Sequence, residues 1–160
     1  MIGLCVLWAL AMAATPAIAQ GPPEDIAARA RGAGRVVVAR VVDVRAQFET
    51  NQFGDQLIVS HAVLEVLETW KGGPEPMLNV AVEGGTVGDL TLKVSDLPSL
   101  RAGERAVFFL DAGRGDHTPH GRGHGILKLN DGDEVSDSTL SLDDVRRSVR
   151  GALAQGRGGR

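Results

Sequence analysis

A stretch of strongly apolar sequence without Gly or Pro covers residues 57–70. Many of its residues are β-branched, and apolar residues recur at every second position, which is the period of a β-strand. Apolar residues also occur on the opposite face, so the stretch predicts a long, coiled strand with core contacts on both sides. The first predicted face comprises Ile58, Ala62, Leu64, Val66 and Trp70, with Ser60 and Glu68 as polar exceptions.

Shorter segments with the same alternation lie on both sides of this stretch. Residues 35–48 predict a strand that forms a hairpin with residues 57–70 through the turn at 51–55. Further strands are predicted at residues 77–82, 90–94, 105–110 and 126–129, and the sequence at 130–133 favours a tight turn. The apolar face of the strand at 35–48 is predicted to comprise Val36, Val38, Val42, Val44, Ala46 and Phe48.

The apolar period changes near the C-terminus, where Leu142, Val145 and Val149 recur at helical spacing. Ser141 followed by Asp144 is a capping pattern, so a helix is predicted over residues 141–155, followed by a tail at 156–160. A short alanine-rich helix is predicted within residues 20–34. The whole pattern predicts an all-β, mainly antiparallel fold: a small OB-like β-barrel of five to six strands over residues 35–136, with a C-terminal amphipathic helix.

Residues 1–19 have the pattern of a signal peptide. An apolar run leads through Pro16 to Ala17-Ile18-Ala19, a small-x-small cleavage site, so we expect cleavage near Ala19/Gln20. The protein is therefore expected to be secreted or periplasmic. We expect no transmembrane segment after signal removal, because the apolar run is short and interrupted.

The amino-acid composition argues against several classes of function. The single cysteine lies in the predicted signal peptide, which argues against disulfides and thiol catalysis. The 17 basic and 20 acidic residues are interspersed, and the net charge of −3 does not favour nucleic acid as a partner. Four Phe, two Trp and no Tyr also argue against a platform for stacking bases or sugars. We expect a monomer that binds a protein partner or a component of the cell envelope.

Several segments together resemble a group of exported bacterial β-barrel domains whose functions are mostly uncharacterised. They are residues 36–44, the strand end Val66-Leu67-Glu68-Thr69-Trp70-Lys71-Gly72, and Val82-Glu83-Gly84-Gly85, followed by residues 102–110. More distantly, the pattern is similar to netrin-like modules and the tissue inhibitors of metalloproteinases, which are OB-fold barrels. Those inhibitors bind a protease zinc through an N-terminal cysteine, whereas this chain would begin at Gln20 after processing, so their mechanism does not carry over.

Residues 111–125, here called the glycine-rich segment, contain three of the four histidines. His117, His120 and His124, with Asp116 beside them, offer ligands for Zn²⁺ or Cu²⁺. No other cofactor is expected. The spacing matches no established zinc motif, and a solvated connection between two strands is the alternative interpretation.

Hydrolysis is a further alternative, because Asp55, Ser60 and His61 are residue types found in hydrolases. Adjacent residues on a strand point to opposite faces, however, so Ser60 and His61 are not expected to bond to each other. We therefore predict no enzymatic activity.

The main functional prediction is an exported, non-catalytic binding or accessory module. The alternatives are a periplasmic divalent-metal-binding protein and a hydrolase with an unrecognised site. Loops at a barrel mouth often carry binding residues on a rigid frame. The predicted binding residues are Asn51, Phe53 and Asp55 in the turn, and Arg114 and Arg122 in the glycine-rich segment.

Overall fold

The computed structural model describes residues 23–51, 53–113 and 115–157, so the predicted signal peptide, Arg114 and the last three residues lie outside it. The pairings between named strands in these residues are antiparallel. The predicted all-β, mainly antiparallel class and the C-terminal helix are confirmed. In chain order the elements are α1 (Pro23–Gly32), β1 (Arg35–Thr50), β2 (Gln56–Lys71), β3 (Met77–Glu83), β4 (Gly85–Val87), β5 (Leu90–Leu92), β6 (Arg105–Asp111), β7 (Thr118–Pro119), a 3-10 helix (Arg122–Gly125), β8 (Ile126–Leu129) and α2 (Leu142–Arg157).

The main sheet has the strand order β3-β2-β1-β6-β7, with β8 also paired to β6, while β4 and β5 form a separate hairpin. The sheet differs from the expected barrel in one respect, because it is not closed. Its two edges meet at a single isolated parallel bridge between Val80 and His117. There the His117 N–H donates to Asn79 O and the Ala81 N–H donates to His117 O, both at 2.9 Å. Strand β7 is only two residues long and cannot continue this contact into a ladder.

Irregularities in the β1–β2 ladder change which face each side chain takes. Register shifts occur between Val36 and Val37, between Val38 and Ala39, and between Val41 and Asp43. An extra residue on one strand reverses the alternation beyond it. Neither long strand therefore keeps one apolar face along its whole length.

The predicted faces are accordingly corrected. Ala62 and Leu64 share one face of the sheet, here called the inner face. Trp70 packs instead against the helices on the opposite face, here called the outer face. In β1, Val36 and Val38 also face the helices on the outer face, whereas Val44 packs on the inner face.

Two hydrophobic cores lie on the two faces of the sheet. On the inner face, β1, β2, β3 and β6 pack together with Leu100. On the outer face, α1 and α2 cover β1 and β6. Strand β6 supplies Phe108 to the inner core and Phe109 to the outer core, and both are fully buried. This agrees with its apolar sequence on both faces.

Helix α2 begins at the predicted cap and is joined to β2 by a charged pair. The Asp144 N–H donates to Ser141 Oγ at 3.2 Å, and the Ser141 N–H donates to Asp144 Oδ2 at 2.9 Å. Arg146 donates to Glu68 at 2.7 Å and lies 5.6 Å from the ring centroid of Trp70. The bond from Arg146 lowers the pKa of Glu68.

Lys71, the last residue of β2, holds the C-terminal end of α1. Its ammonium group donates to the carbonyl oxygens of Ala30, Arg31 and Ala33 at 3.0, 2.9 and 2.5 Å. The last carbonyls of a helix have no partners within the helix and carry partial negative charge. One cation thus satisfies two of them, together with the Ala33 carbonyl just after the helix. Lys71 thus fixes α1 to the end of the central hairpin.

We predict that Lys71→Met lowers the free energy of unfolding by about 2 kcal/mol, because three carbonyls, two of them in part-buried contacts, lose a charged donor. Chemical denaturation measures the change. Lys93→Met is the matched control, since Lys93 is exposed and no described residue accepts a bond from its side chain. Equal stability of the two variants would contradict this role for Lys71.

Candidate functional site

A cleft of about 780 Å³ opens on the inner face of the sheet. One wall is the sheet itself, the second is the β4–β5 hairpin, and the third is the irregular connection at residues 93–102. The lining residues are Val44, Ala46, Ser60, Val82, Glu83, Gly84, Gly85, Thr86, Thr91, Leu92, Lys93, Val94, Ser95, Leu97, Pro98, Ser99, Leu100, Arg101 and Ala102.

The Gly84-Gly85 pair lets the β4–β5 hairpin lie directly on the sheet. The Gly84 N–H donates to Ile58 O at 2.7 Å, and Ser60 Oγ donates to Gly84 O at 2.6 Å. Gly85 has a φ of 134°, and a side chain there would overlap Ser60 Oγ and approach Ala46 Cβ. Both glycines have positive φ and form the bend between β3 and β4.

The lining combines apolar walls with unpaired positive charge. Nine of its residues are aliphatic or proline, and five are serine or threonine. Lys93 and Arg101 are exposed, and neither side chain has an ion-pair partner among the side chains described at residues 26–51, 53–113 and 115–156. The acidic residue of the lining, Glu83, lies 3.4 Å from Arg122. The cleft can therefore accept an apolar group that carries a negative charge.

Arg122 fastens the glycine-rich segment to the rim of the cleft. Its guanidinium donates to Asp96 at 2.5 and 3.3 Å and to Glu83 at 3.4 Å. The bond from Arg122 lowers the pKa of Asp96. Arg122 was predicted as a binding residue, and the structure places it at the rim, bonded to two carboxylates rather than free in the cleft.

The three histidines of the glycine-rich segment contact three different parts of the structure. His117 forms the backbone bridge to β3, and His120 Nδ1 lies 2.8 Å from Asp111 Oδ2 with its ring over Gly32 of α1. The carbonyl of His124 accepts a bond from Arg29 at 2.6 Å.

Across the described parts of the chain, no group of three or more His, Cys, Asp or Glu side chains is arranged to hold a metal ion. The metal hypothesis for His117, His120, His124 and Asp116 stays a prediction to which this geometry adds no support. Close packing also accounts for some of the glycines. A side chain at Gly123, for example, would overlap Asp96 O.

His61 is held between two carboxylates on the outer face. Nδ1 lies 2.5 Å from Asp116 Oδ2, and Nε2 lies 2.5 Å from Glu49 Oε1, with Gln47 Nε2 at 3.3 Å. The bond to Asp116 is the main cause of a raised His61 pKa, opposed by partial burial and reinforced by Glu49. The His61 imidazole therefore links the glycine-rich segment to the β1–β2 hairpin. Ser60 faces the opposite side, as predicted.

The predicted binding residues of the β1–β2 turn do not line the cleft. Asn51 Oδ1 accepts bonds from the N–H groups of Phe53 and Asp55, both at 2.9 Å, and its Nδ2 donates to Asp55 at 3.2 Å. Asn51 and Asp55 thus shape the turn, whereas Phe53 is 80% exposed at its tip. Arg114, the remaining predicted binding residue, lies outside the described residues.

Sequence analysis missed the two cations of the cleft. Lys93 lies in the strand predicted at residues 90–94, and Arg101 lies in the connection after Pro98, where no periodicity shows which way its side chain points. Gly84-Gly85 was the available signal, because two adjacent glycines after a strand indicate a close backbone crossing.

Comparison with known proteins gives no relative, since no family model matches the chain and no curated protein matches it. In the part of the chain that the structure describes, neither helix is long and apolar enough to cross a membrane.

We predict that His61 stabilises the fold in a limited pH window. Because its pKa is raised in the folded state, the contribution is fully present below 6.5, the ordinary pKa of histidine, and is lost as pH rises through the folded pKa. The pKa of Glu49 is lowered first by its bond from Gln47 and then by its bond to His61, and this contribution fades as pH falls below 4.5 through the folded pKa, which sets the acid limit. His61→Gln should therefore cost about 1 kcal/mol between these limits and less above them.

Denaturation at a series of pH values measures this difference. His124→Gln is the matched control, because His124 is exposed and its imidazole makes no hydrogen bond to a described residue. A cost for His61→Gln that is constant across the series, or equal to that of the control, would contradict the prediction.

Proposed function

We propose that the protein is an exported, non-catalytic binding module and that the cleft is its ligand-binding site. The observation that carries the proposal is the combination of aliphatic walls with two cations, Lys93 and Arg101, that have no ion-pair partner among the described residues. An apolar ligand body would displace water from the walls, and an anionic group would pair with the two cations.

The surroundings of the cleft support a binding role. The volume lies in the range of typical ligand pockets. Its wall of residues 93–102 is held at both ends: Arg122 bonds Asp96, and the Gly103 N–H donates to Val41 O at 2.8 Å. A site held in this way loses little conformational entropy when the ligand binds. Export remains the prediction made from residues 1–19.

Fluorescence titration with anilinonaphthalene sulfonate, an apolar anion, tests the proposal. The protein should bind it, and reversing both cleft cations (Lys93→Glu with Arg101→Glu) should weaken binding about tenfold, since each exposed charge contributes up to ~1 kcal/mol.

The matched control is Arg31→Glu with Arg150→Glu, which makes the same change in net charge on the exposed surfaces of α1 and α2. Binding by the control double variant should equal that of the original protein. No binding to the original protein, or equal weakening in the two double variants, would count against the cleft as the site.

A further inference from the structure

The central strand β1 has a neighbour on both edges only in its first half. Strand β6 pairs with it from Arg35 to Arg40, and Val41 makes the last backbone bonds on that side, to Gly103 and Glu104. Beyond Val41, no described residue makes a backbone hydrogen bond to this edge of β1. On the other edge, pairing with β2 continues to Thr50.

Antiparallel geometry identifies which backbone groups are left open. The Asn51 N–H donates to Asp55 O, which fixes Asn51 and Asp55 as a hydrogen-bonded pair. Hydrogen-bonded and non-hydrogen-bonded pairs alternate along such a ladder. The N–H and C=O groups of Val44, Ala46, Phe48 and Thr50 therefore point away from β2, and we call these residues the open edge. It is roughly 20 Å long.

The open edge borders the cleft. Val44 and Ala46 line the cleft, and Phe48 continues the same face with 47% of its surface exposed. Arg101 lies two residues from Gly103, whose N–H bonds Val41 at the start of the open half of β1. Apolar surface, unpaired backbone groups and positive charge thus occur together.

The usual protections of an exposed strand edge are weak here. No proline lies within β1, and the charged residues beside the open edge are already bonded: Arg45 to Asp43 at 2.9 Å, and Glu49 to His61. Natural proteins normally block such an edge with free charges, prolines, β-bulges or covering segments, and here the bulge at Val42 lies before the open edge rather than within it.

We infer that the occupant of the cleft is an extended peptide segment of another protein, which adds a strand to the open edge. This inference rests on the proposed function and names its ligand class. The peptide backbone would pair with Val44, Ala46 and Phe48, and alternate apolar side chains would enter the cleft. In the antiparallel orientation, the C-terminal end of the segment reaches Arg101, so a carboxylate is expected there.

Other occupants fit the charges less well. Residues 1–22 of this chain contain no Asp or Glu to meet Lys93 and Arg101. A second copy paired through the same edge would present Asp43 and Glu49, whose carboxylates are already bonded within their own chain.

Selection from a displayed library of random ten-residue peptides, against protein expressed from the full sequence, tests the inference. Enriched peptides should alternate apolar residues and carry a carboxylate near one end. Ala46→Pro should weaken their binding about tenfold, because it removes an outward N–H group without removing a bond to β2. Ala46→Ser keeps the N–H group and is the matched control.

N-methylation of the peptide provides a second measurement that leaves the protein unchanged. Methyl groups on one alternate set of peptide amides should abolish binding, and methyl groups on the other set should be tolerated, because only one set faces β1. The inference would be overturned if peptide binding were unchanged both by Ala46→Pro and by methylation of either set of peptide amides. It would also be overturned if no such peptides were enriched, or if the free protein sedimented as a dimer formed through this edge. If anilinonaphthalene sulfonate still binds in the cleft, the proposed function survives that failure.

Discussion

One extra residue in the central strand determines the geometry of the end of the molecule that carries the cleft. Val42 lies in the register shift between Val41 and Asp43, at the point where β6 stops pairing with β1. Before it, the strand is covered by β6 on one edge and by the helices on its outer face. After it, the strand turns Val44 and Ala46 toward the inner face and has a neighbour on one edge only. The cleft and the open edge both begin at this irregularity.

The two ends of the β1–β2 hairpin have different chemistry as a result. At the end away from the turn, Lys71 caps α1 and Arg146 joins α2 to β2, so both helices are held over the outer core. At the other end, few residues are fully buried, and polar contacts such as the His61 bridge replace the second core. The helix-covered half of the hairpin thus supports the turn half, whose backbone groups and apolar surface are accessible to a ligand.

Much of the fold follows from sequence periodicity, but the side-chain directions beyond the irregularities do not. Six of the eight strands, the turn at residues 51–55 and the Ser141–Asp144 cap were predictable because each depends on local pattern, whereas β4 and β7 were not predicted. The direction of Trp70 was not, since a register shift is set by pairing with another strand and leaves no mark in the alternation.

Side-chain directions in the glycine-rich segment were equally unpredictable from local sequence. Its glycines suggested a loop that could bring three imidazoles together. In the structure Gly123 allows a close approach to Asp96, and the histidines contact three different neighbours. Lys93 and Arg101 could not be predicted as a pair, because they meet at the cleft only through the path of the irregular connection.

Hydrogen exchange of individual β1 amides, followed by NMR, shows whether this edge is open. We expect a period of two: the amides of Val44, Ala46 and Phe48 exchange fast in the free protein, while those of Arg45 and Gln47 are protected by bonds to β2. Uniform protection along this half of β1 would mean that the edge is already covered, which would contradict an open edge beside the cleft.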